Sequence, residues 1–154
     1  MDVYIRKARM QDVKSIHLLL MECAGQGQLL PRSLSSLYGH LRDFYVLVDR
    51  GDETVVGCCA LTIFWEDHAE IRSLALHEKM KGTGWGRRLV ETCLSEAVTL
   101  GVYKVFTLTY VSGFFARLGF QEVEKDVLPQ KVWTDCINCP KFPDCDETAM
   151  LITM

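Results

Sequence analysis

The chain has 154 residues, 49% of them hydrophobic and 24% charged, with 17 Lys and Arg against 20 Asp and Glu for a formal charge of -3. That is enough apolar material for one domain with a sizeable core, and the balance gives no general attraction to nucleic acid or to anionic membranes. No window approaches the roughly 18 consecutive apolar residues of a membrane span, and the segment from Met1 to Lys7 lacks the apolar stretch of a signal peptide. We therefore expect a cytoplasmic protein, residues 1–154 forming a single domain with neither nucleic acid nor membrane as a partner.

In chain order, Val3 to Ala8 has the character of a first strand, and Met10-Gln11-Asp12 leads into a helix with Val13, Ile16, Leu19 and Leu20 on one face. Glycines 25 and 27 break that helix, and Ser33 or Ser35 can cap a second one reaching about His40, which puts Arg32 just before a helix start. Phe44 to Asp49, a turn at Arg50-Gly51-Asp52-Glu53, and Thr54 to Ile63 form an antiparallel hairpin, continued by a strand from His68 to Leu76. A glycine-rich break follows, then an amphipathic helix from Arg87 to Leu100 with Leu89, Val90, Cys93, Leu94, Ala97 and Val98 on one face and Gly101 as its stop. Lys104 to Thr109 is β-branched and aromatic, Ser112 to Leu118 a short helix ended by Gly119, Phe120 to Val127 a further strand, and Ala149 to Met154 a closing strand. Residues 128–146 hold three of the four prolines and three cysteines and read as an ordered loop. The expected fold is α/β (α+β), a mixed sheet flanked by helices.

Seven cysteines are too few, in too large a domain, for a disulfide scaffold, and an odd number cannot fully pair. Cys23, Cys58, Cys59 and Cys93 fall in apolar periodic stretches and read as small core residues. The stretch most suggestive of chemistry is a strand running into Lys81-Gly82-Thr83-Gly84-Trp85-Gly86-Arg87 and then a helix. Glycines let backbone approach a ligand, and the unpaired N–H groups of a helix start suit a pyrophosphate; a tight turn before a helix is the plainer alternative. The sequence is not a P-loop, since no Lys-Ser/Thr follows the last glycine, and the preceding meander differs from the early βαβ unit of a dinucleotide fold.

Glu70-Ile71-Arg72-Ser73-Leu74-Ala75-Leu76, then Lys81-x-x-Gly84-x-Gly86, then Phe114-Phe115-Ala116-Arg117-Leu118-Gly119-Phe120, resembles the central signature of the GNAT superfamily of acetyl-CoA-dependent N-acetyltransferases. Within it, Leu29-Leu30-Pro31-Arg32-Ser33, Val56 to Leu61, Phe106-Thr107-Leu108-Thr109 and Leu128-Pro129-Gln130-Lys131 are similar to the acetyltransferase domain of the N-acetylglutamate synthases, in particular their short stand-alone form. The resemblance implies a mostly antiparallel central sheet splayed at the acetyl-CoA site. It also implies direct attack of an amino acid's α-amine, L-glutamate above all, on the thioester, in the service of arginine biosynthesis. There are two departures. Lys81 stands where the glycine signature usually has Arg or Gln, keeping a cation without the planar fork. Phe115 stands where a Tyr commonly protonates the departing thiolate, leaving water, Tyr110 or Ser112 as proton sources.

Three tasks follow from that reaction. A carboxylate must take the ammonium's proton, for which Glu70 is the candidate, with an edge-strand surface carboxylate as the alternative. Backbone N–H groups around Leu74, Ala75 and Leu76 would polarise the thioester carbonyl, while Lys81, Gly82, Thr83, Gly84, Trp85, Gly86 and Arg87 hold the coenzyme. A dicarboxylate acceptor needs separated cations, and the resemblance points to Arg32 for this, against a surface role. Arg72, two residues after Glu70 and so on the same side of a strand, serves either the acceptor or an ion pair with Glu70. Lys131 could add a cation from the loop at residues 128–146, over the acceptor site, and Cys58 could lie beside the substrate without acting as a nucleophile. Cys136, Cys139 and Cys145 leave structural zinc, a disulfide and unpaired thiols all open, three ligands being one short of a closed site. The four histidines have no metal spacing. A different amine as acceptor, or a coenzyme-A-binding regulator without catalysis, are the competing functions, and a homodimer stays open.

Overall fold

The computed structural model describes residues 2–27, 29–128 and 146–154. A sheet of seven strands forms the spine: β1 (Val3–Lys7), β2 (Phe44–Asp49), β3 (Thr54–Trp65), β4 (His68–Leu76), β5 (Lys104–Thr109), β6 (Gln121–Glu122) and β7 (Thr148–Thr153). Their order is β1-β2-β3-β4-β5-β7-β6, and every neighbouring pair is antiparallel except β4 with β5. Among the described residues four α-helices flank it: α1 (Val13–Gly25), α2 (Leu34–Gly39), α3 (Trp85–Thr99) and α4 (Ser112–Arg117). The parallel pair follows from the chain path, since α3 carries the chain across the sheet between β4 and β5 and so returns it in the same direction. The mixed, mostly antiparallel sheet agrees with the expectation from sequence.

The strand alternation divides the core in two. Leu47, Cys59, Leu61, Ala69 and Ile71 face α3 and α4, where Leu89, Val90, Cys93 and Phe115 meet them. Val46, Val48, Cys58, Ala60 and Ala75 face the other way, against Ile16, Leu20 and Cys23 of α1 and Leu37 of α2. All four cysteines assigned to the core are buried with free thiols. Burying a Leu or Ile side chain is worth about 1.5–3 kcal/mol, so these two layers fix which face each strand residue takes. A third, smaller cluster of Phe64, Phe106, Leu128 and Ala149 closes the sheet toward β7.

Several boundaries differ from the sequence reading. The strand expected from Phe120 to Val127 shrinks to Gln121–Glu122. Phe120 is drawn into the core against Phe115, and residues Lys125–Val127 turn as a single 3-10 helix. Helix α3 begins at Trp85, before Arg87, and Val98, expected on its buried face, is 43% exposed, because it lies about 100° round the helix from the fully buried Ala97. Of the two serines offered as caps for α2, Ser33 is the one used, its Oγ accepting the Ser36 N–H at 3.1 Å.

Charge ties β1 to α1. Arg6 donates to both carboxylate oxygens of Asp12, Nη1 to Oδ2 at 2.7 Å and Nη2 to Oδ1 at 3.0 Å, and the Arg9 N–H adds a bond of 2.7 Å. Burial alone would raise the Asp12 pKa, but these donors outweigh it and the carboxyl sits below its ordinary value. A depressed carboxyl pKa stabilises the fold above the unfolded value of about 3.9 and loses that contribution as pH falls through the folded value. Asp12→Ala should therefore cost about 3 kcal/mol at neutral pH by urea denaturation. The gap between wild type and variant should narrow as the pH is taken below about 4.

Candidate active site

Pairing between β4 and β5 lasts only from His68 with Lys104 to Glu70 with Phe106. Beyond it the strands diverge, and the buried Thr107 hydroxyl bridges the gap, donating to the Ile71 carbonyl at 3.0 Å. The opening is lined by residues 71–74 on one side and 107–109 on the other, with Leu29, Phe115 and Glu147 at its ends. A bulge in β4 produces the divergence. Between Cys58 and Ala60 strand β3 advances two residues while β4 passes from Ala75 to Arg72, three residues. Ser73, inside that step, takes φ of +54°.

The bulge also sets the direction of the N–H groups. His77 donates to the Val56 carbonyl at 2.8 Å, and the register continues with Ala75 opposite Cys58, so the Ala75 N–H is turned toward β3. Alternation then directs Leu74 and Leu76 to the side that β5 has vacated. Of the three donors expected around the splay, Ala75 is thus withdrawn by its ladder partner.

The glycine loop lies beyond the end of β4. Gly82 and Gly84 have φ of +76° and +88°, a region that residues with a Cβ rarely enter. The first backbone bond of the following helix is Arg88 N–H to Gly84 O at 3.3 Å, and among the described residues the N–H groups from Gly82 to Arg87 meet no backbone acceptor. A run of unpaired donors at the positive end of a 15-residue helix is an anion site in form. The cations beside it are only partly committed. Lys81 pairs with Glu78 at 3.1 Å, Arg87 with Glu91 at 3.1 Å, and Arg88 stacks over Trp85 at 4.7 Å. The Thr83 hydroxyl is bonded to the Met80 carbonyl.

On the face toward α1 and α2 the fold gathers the remaining candidates. Glu70 is 7% exposed in a central strand, which sets aside an edge-strand surface role. Arg72 lies on the same side, its Nε 3.4 Å from Glu70 Oε1, so the ion pair weighed from sequence is present. Arg32 is 9% exposed and hydrogen-bonds hydroxyls: Nε and Nη2 to Ser36 Oγ at 3.2 and 3.0 Å, and Nη1 to Ser73 Oγ at 3.3 Å. Its guanidinium also sits 5.3 Å from the Phe44 ring. Burial, and then the nearby Arg72 charge, push the Arg32 pKa down to about 10, which keeps it charged at neutral pH. Cys58 is fully buried with its thiol donating to the Ser73 carbonyl at 3.3 Å, and burial pushes its pKa far up. A thiol held protonated in this way is no nucleophile.

Phe115 is 2% exposed and meets Phe114 and Phe120 edge-on, so an apolar ring closes the foot of the opening. Tyr110 donates to Asp146 Oδ1 at 2.8 Å. Lys131, Cys136, Cys139 and Cys145 lie outside the described residues. Among the described residues no group of His, Cys, Asp and Glu could hold a metal, and no helix is long and apolar enough to cross a membrane. Ser36, Ser73, Thr107 and Asp43, which accepts the Thr62 hydroxyl at 3.0 Å, escaped the sequence reading. Short polar residues carry no spacing signal, and only the bulge and the pre-α2 loop bring them to the site.

The GNAT acetyltransferase family model matches residues 13–120. The chain belongs to that family. It is an acetyl-CoA-dependent N-acetyltransferase. An uncharacterised N-acetyltransferase of Chlorobaculum tepidum is 44% identical over 153 residues, 99% of this chain and 97% of that one. An amino-acid acetyltransferase of Mycobacterium tuberculosis is 38% identical over 133 residues, 85% of this chain and 75% of its own. Among solved structures, N-acetylglutamate synthase of Neisseria gonorrhoeae, complexed with coenzyme A and N-acetyl-glutamate, aligns with a TM-score of 0.88 at 29% identity. That alignment covers 99% of this chain, which spans 35% of the Neisseria chain.

The burial of the core thiols has a direct readout. Brief maleimide treatment of the folded protein, followed by peptide mass mapping, should leave Cys23, Cys58, Cys59 and Cys93 unlabelled, and labelling should appear only after denaturation.

Proposed function

We propose that the protein transfers the acetyl group of acetyl-CoA to the α-amine of L-glutamate, the committed acetylation of arginine biosynthesis. The observation that carries the reading is Arg32, a buried guanidinium whose hydrogen-bond partners are hydroxyls rather than a carboxylate. Asp43 and Glu70 act on it only through space; burying a guanidinium with no carboxylate bonded to it is costly, and the cost makes sense where an anionic ligand makes that bond. The names of the relatives point the same way, one being an amino-acid acetyltransferase and one a synthase complexed with N-acetyl-glutamate.

In this reading the N–H groups from Gly82 to Arg87 hold the pyrophosphate, and the panthetheine arm enters between β4 and β5. The Leu74 and Leu76 N–H groups face the thioester carbonyl and stabilise the oxygen as it gains charge. Arg32 and Arg72 grip the carboxylates of the acceptor. Glu70, directly or through a water, takes a proton from the ammonium, after which the nitrogen attacks the carbonyl carbon. The C–N bond forms, the C–S bond breaks, and the thiolate leaves. The nitrogen loses its second proton as the amide forms, and since Phe115 has none to give, that proton passes through water to the thiolate. The Arg72–Glu70 pair lets the acceptor's carboxylate compete for Arg72 and so couples arrival of the acceptor to release of the base.

Coenzyme A release should be monitored with each common amino acid in turn, and L-glutamate should exceed glutamine and aspartate by at least about tenfold, a discrimination of roughly 1.4 kcal/mol. A macromolecular acceptor would leave every amino acid inactive despite acetyl-CoA binding. Arg32→Ala should raise the KM for glutamate about 100-fold, in line with roughly 3 kcal/mol for a charged hydrogen-bonded contact, with the KM for acetyl-CoA unchanged. Glu70→Gln should lower kcat about 100-fold at pH 7 and recover as the pH rises and the amine loses its proton to solvent.

The coenzyme loop makes a separate prediction. Gly84→Ala would meet no atom within 4 Å, so steric clash is absent and only the φ of +88° opposes it. Affinity for coenzyme A by calorimetry should fall about tenfold, the equivalent of the 1–2 kcal/mol that a left-handed residue costs, while the unfolding midpoint moves little if the loop relaxes.

A further inference from the structure

We propose that Ser73 is a positioning residue that locks the acceptor-binding Arg32 to the break in β4, so that one side chain sets the distance between the acceptor's carboxylate and the thioester carbonyl. The inference rests on the acceptor role given to Arg32 above. Among the described residues two non-glycine residues have positive φ, Glu53 at +58° and Ser73 at +54°. Glu53 lies in the exposed turn between β2 and β3, where such conformations are ordinary. Ser73 lies within a strand at the centre of the sheet, and a left-handed residue with a Cβ persists there only if its surroundings over-determine it.

Those surroundings are specific. The Ser73 carbonyl accepts the Cys58 thiol at 3.3 Å, and its Oγ accepts Arg32 Nη1 at 3.3 Å. The other edge of the Arg32 guanidinium is held by Ser36 Oγ in the first turn of α2. The Ser36 N–H is in turn bonded to Ser33 Oγ, the helix cap. Arg32 is thereby gripped from both ends, by α2 on one side and by β4 on the other. The residue after Ser73 is Leu74, whose N–H faces the opening. A shift in Ser73 therefore moves the guanidinium and the carbonyl-binding donor together, and reacting groups misplaced by about 1 Å can lose about 100-fold in rate.

Three substitutions separate the two functions of the residue. Ser73→Ala removes Oγ and keeps the strain, Ser73→Gly removes Oγ and relieves the strain, and Ser73→Asn tolerates the left-handed region while restoring an acceptor oxygen. The expected result is a KM for glutamate raised about tenfold in both Ala and Gly variants, as for one lost charge-assisted bond. The KM for acetyl-CoA should stay within about twofold, and Ser73→Asn should recover most of the loss. If Ala proves too unstable to assay, Gly carries the same test. A KM for glutamate unchanged in both variants, while Arg32→Ala raises it, would overturn the proposal. A double-mutant cycle of Arg32→Ala and Ser73→Ala on the unfolding equilibrium, read without any substrate, should be non-additive by about threefold or more. Additivity there would overturn the link whatever the acceptor is. Non-additivity together with an Arg32→Ala variant of normal glutamate KM would support the link and locate the failure in the acceptor assignment.

Discussion

Strand β4 cannot satisfy both of its neighbours along its whole length, and the site is built on that conflict. It pairs with β3 from end to end, with register shifts between Cys58 and Ala60 and between Ile63 and Trp65, and with β5 for three residues only. A central parallel pair that stopped elsewhere would leave buried backbone groups without partners, at a few kcal/mol each. Here the vacated edge faces an opening, and the Thr107 hydroxyl, donating to the Ile71 carbonyl at 3.0 Å, covers the first carbonyl past the split. In the proposed reading the N–H groups on that edge would hold the acyl carbonyl. The same opening would admit the coenzyme arm, with its pyrophosphate end at the start of α3.

The electrostatics follow the same division of the molecule. The α3 end offers donors that belong to the backbone, so it needs no particular side chain and tolerates Lys81 in a position where a forked cation is common. The face toward α1 and α2 is specified by side chains: Glu70 and Arg32 are buried and Arg72 is half-buried beside them. Arg32 and Arg72 stand there with two carboxylates, Glu70 and Asp43, whose charges both act on Arg32. In the proposed reading the placement of these charges, not the net charge of the chain, would select an anionic acceptor.

Absence of a tyrosine at position 115 changes the balance of the reaction rather than preventing it. Phe115 packs edge-on between two phenylalanines and supports the sheet below the opening. A thiolate is a stable enough anion to leave before it is protonated, since an ordinary thiol pKa is about 8.5. In the proposed reading the demanding proton transfer is the one from the acceptor's ammonium, for which the chain has the buried Glu70 carboxylate.

Most of the architecture was legible in the sequence because it rests on periodicity and on glycines. The alternation of β2 to β4, the apolar face of α1 and the stops at Gly101 and Gly119 are local signals, and the structure repeats them. The glycine loop was legible for the same reason, its conformation being available to few other residues. What the sequence left open concerned groups whose meaning depends on distant partners. Glu70 could be a surface carboxylate until the strand order placed it in the middle of the sheet. Residues Phe120 to Val127 had the composition of a strand, but the pull of Phe115 on Phe120 shortened it to Gln121–Glu122. Ser73 and Ser36 carried no signal at all, because a hydroxyl gains a role only when tertiary packing brings a guanidinium to it. The chain by itself thus determined the elements, the coenzyme loop and the candidate cations. Tertiary structure alone decided the bulge, the splay and the clamp on Arg32, since these arise between segments that lie some 40 residues apart in the sequence, as Arg32 and Ser73 do.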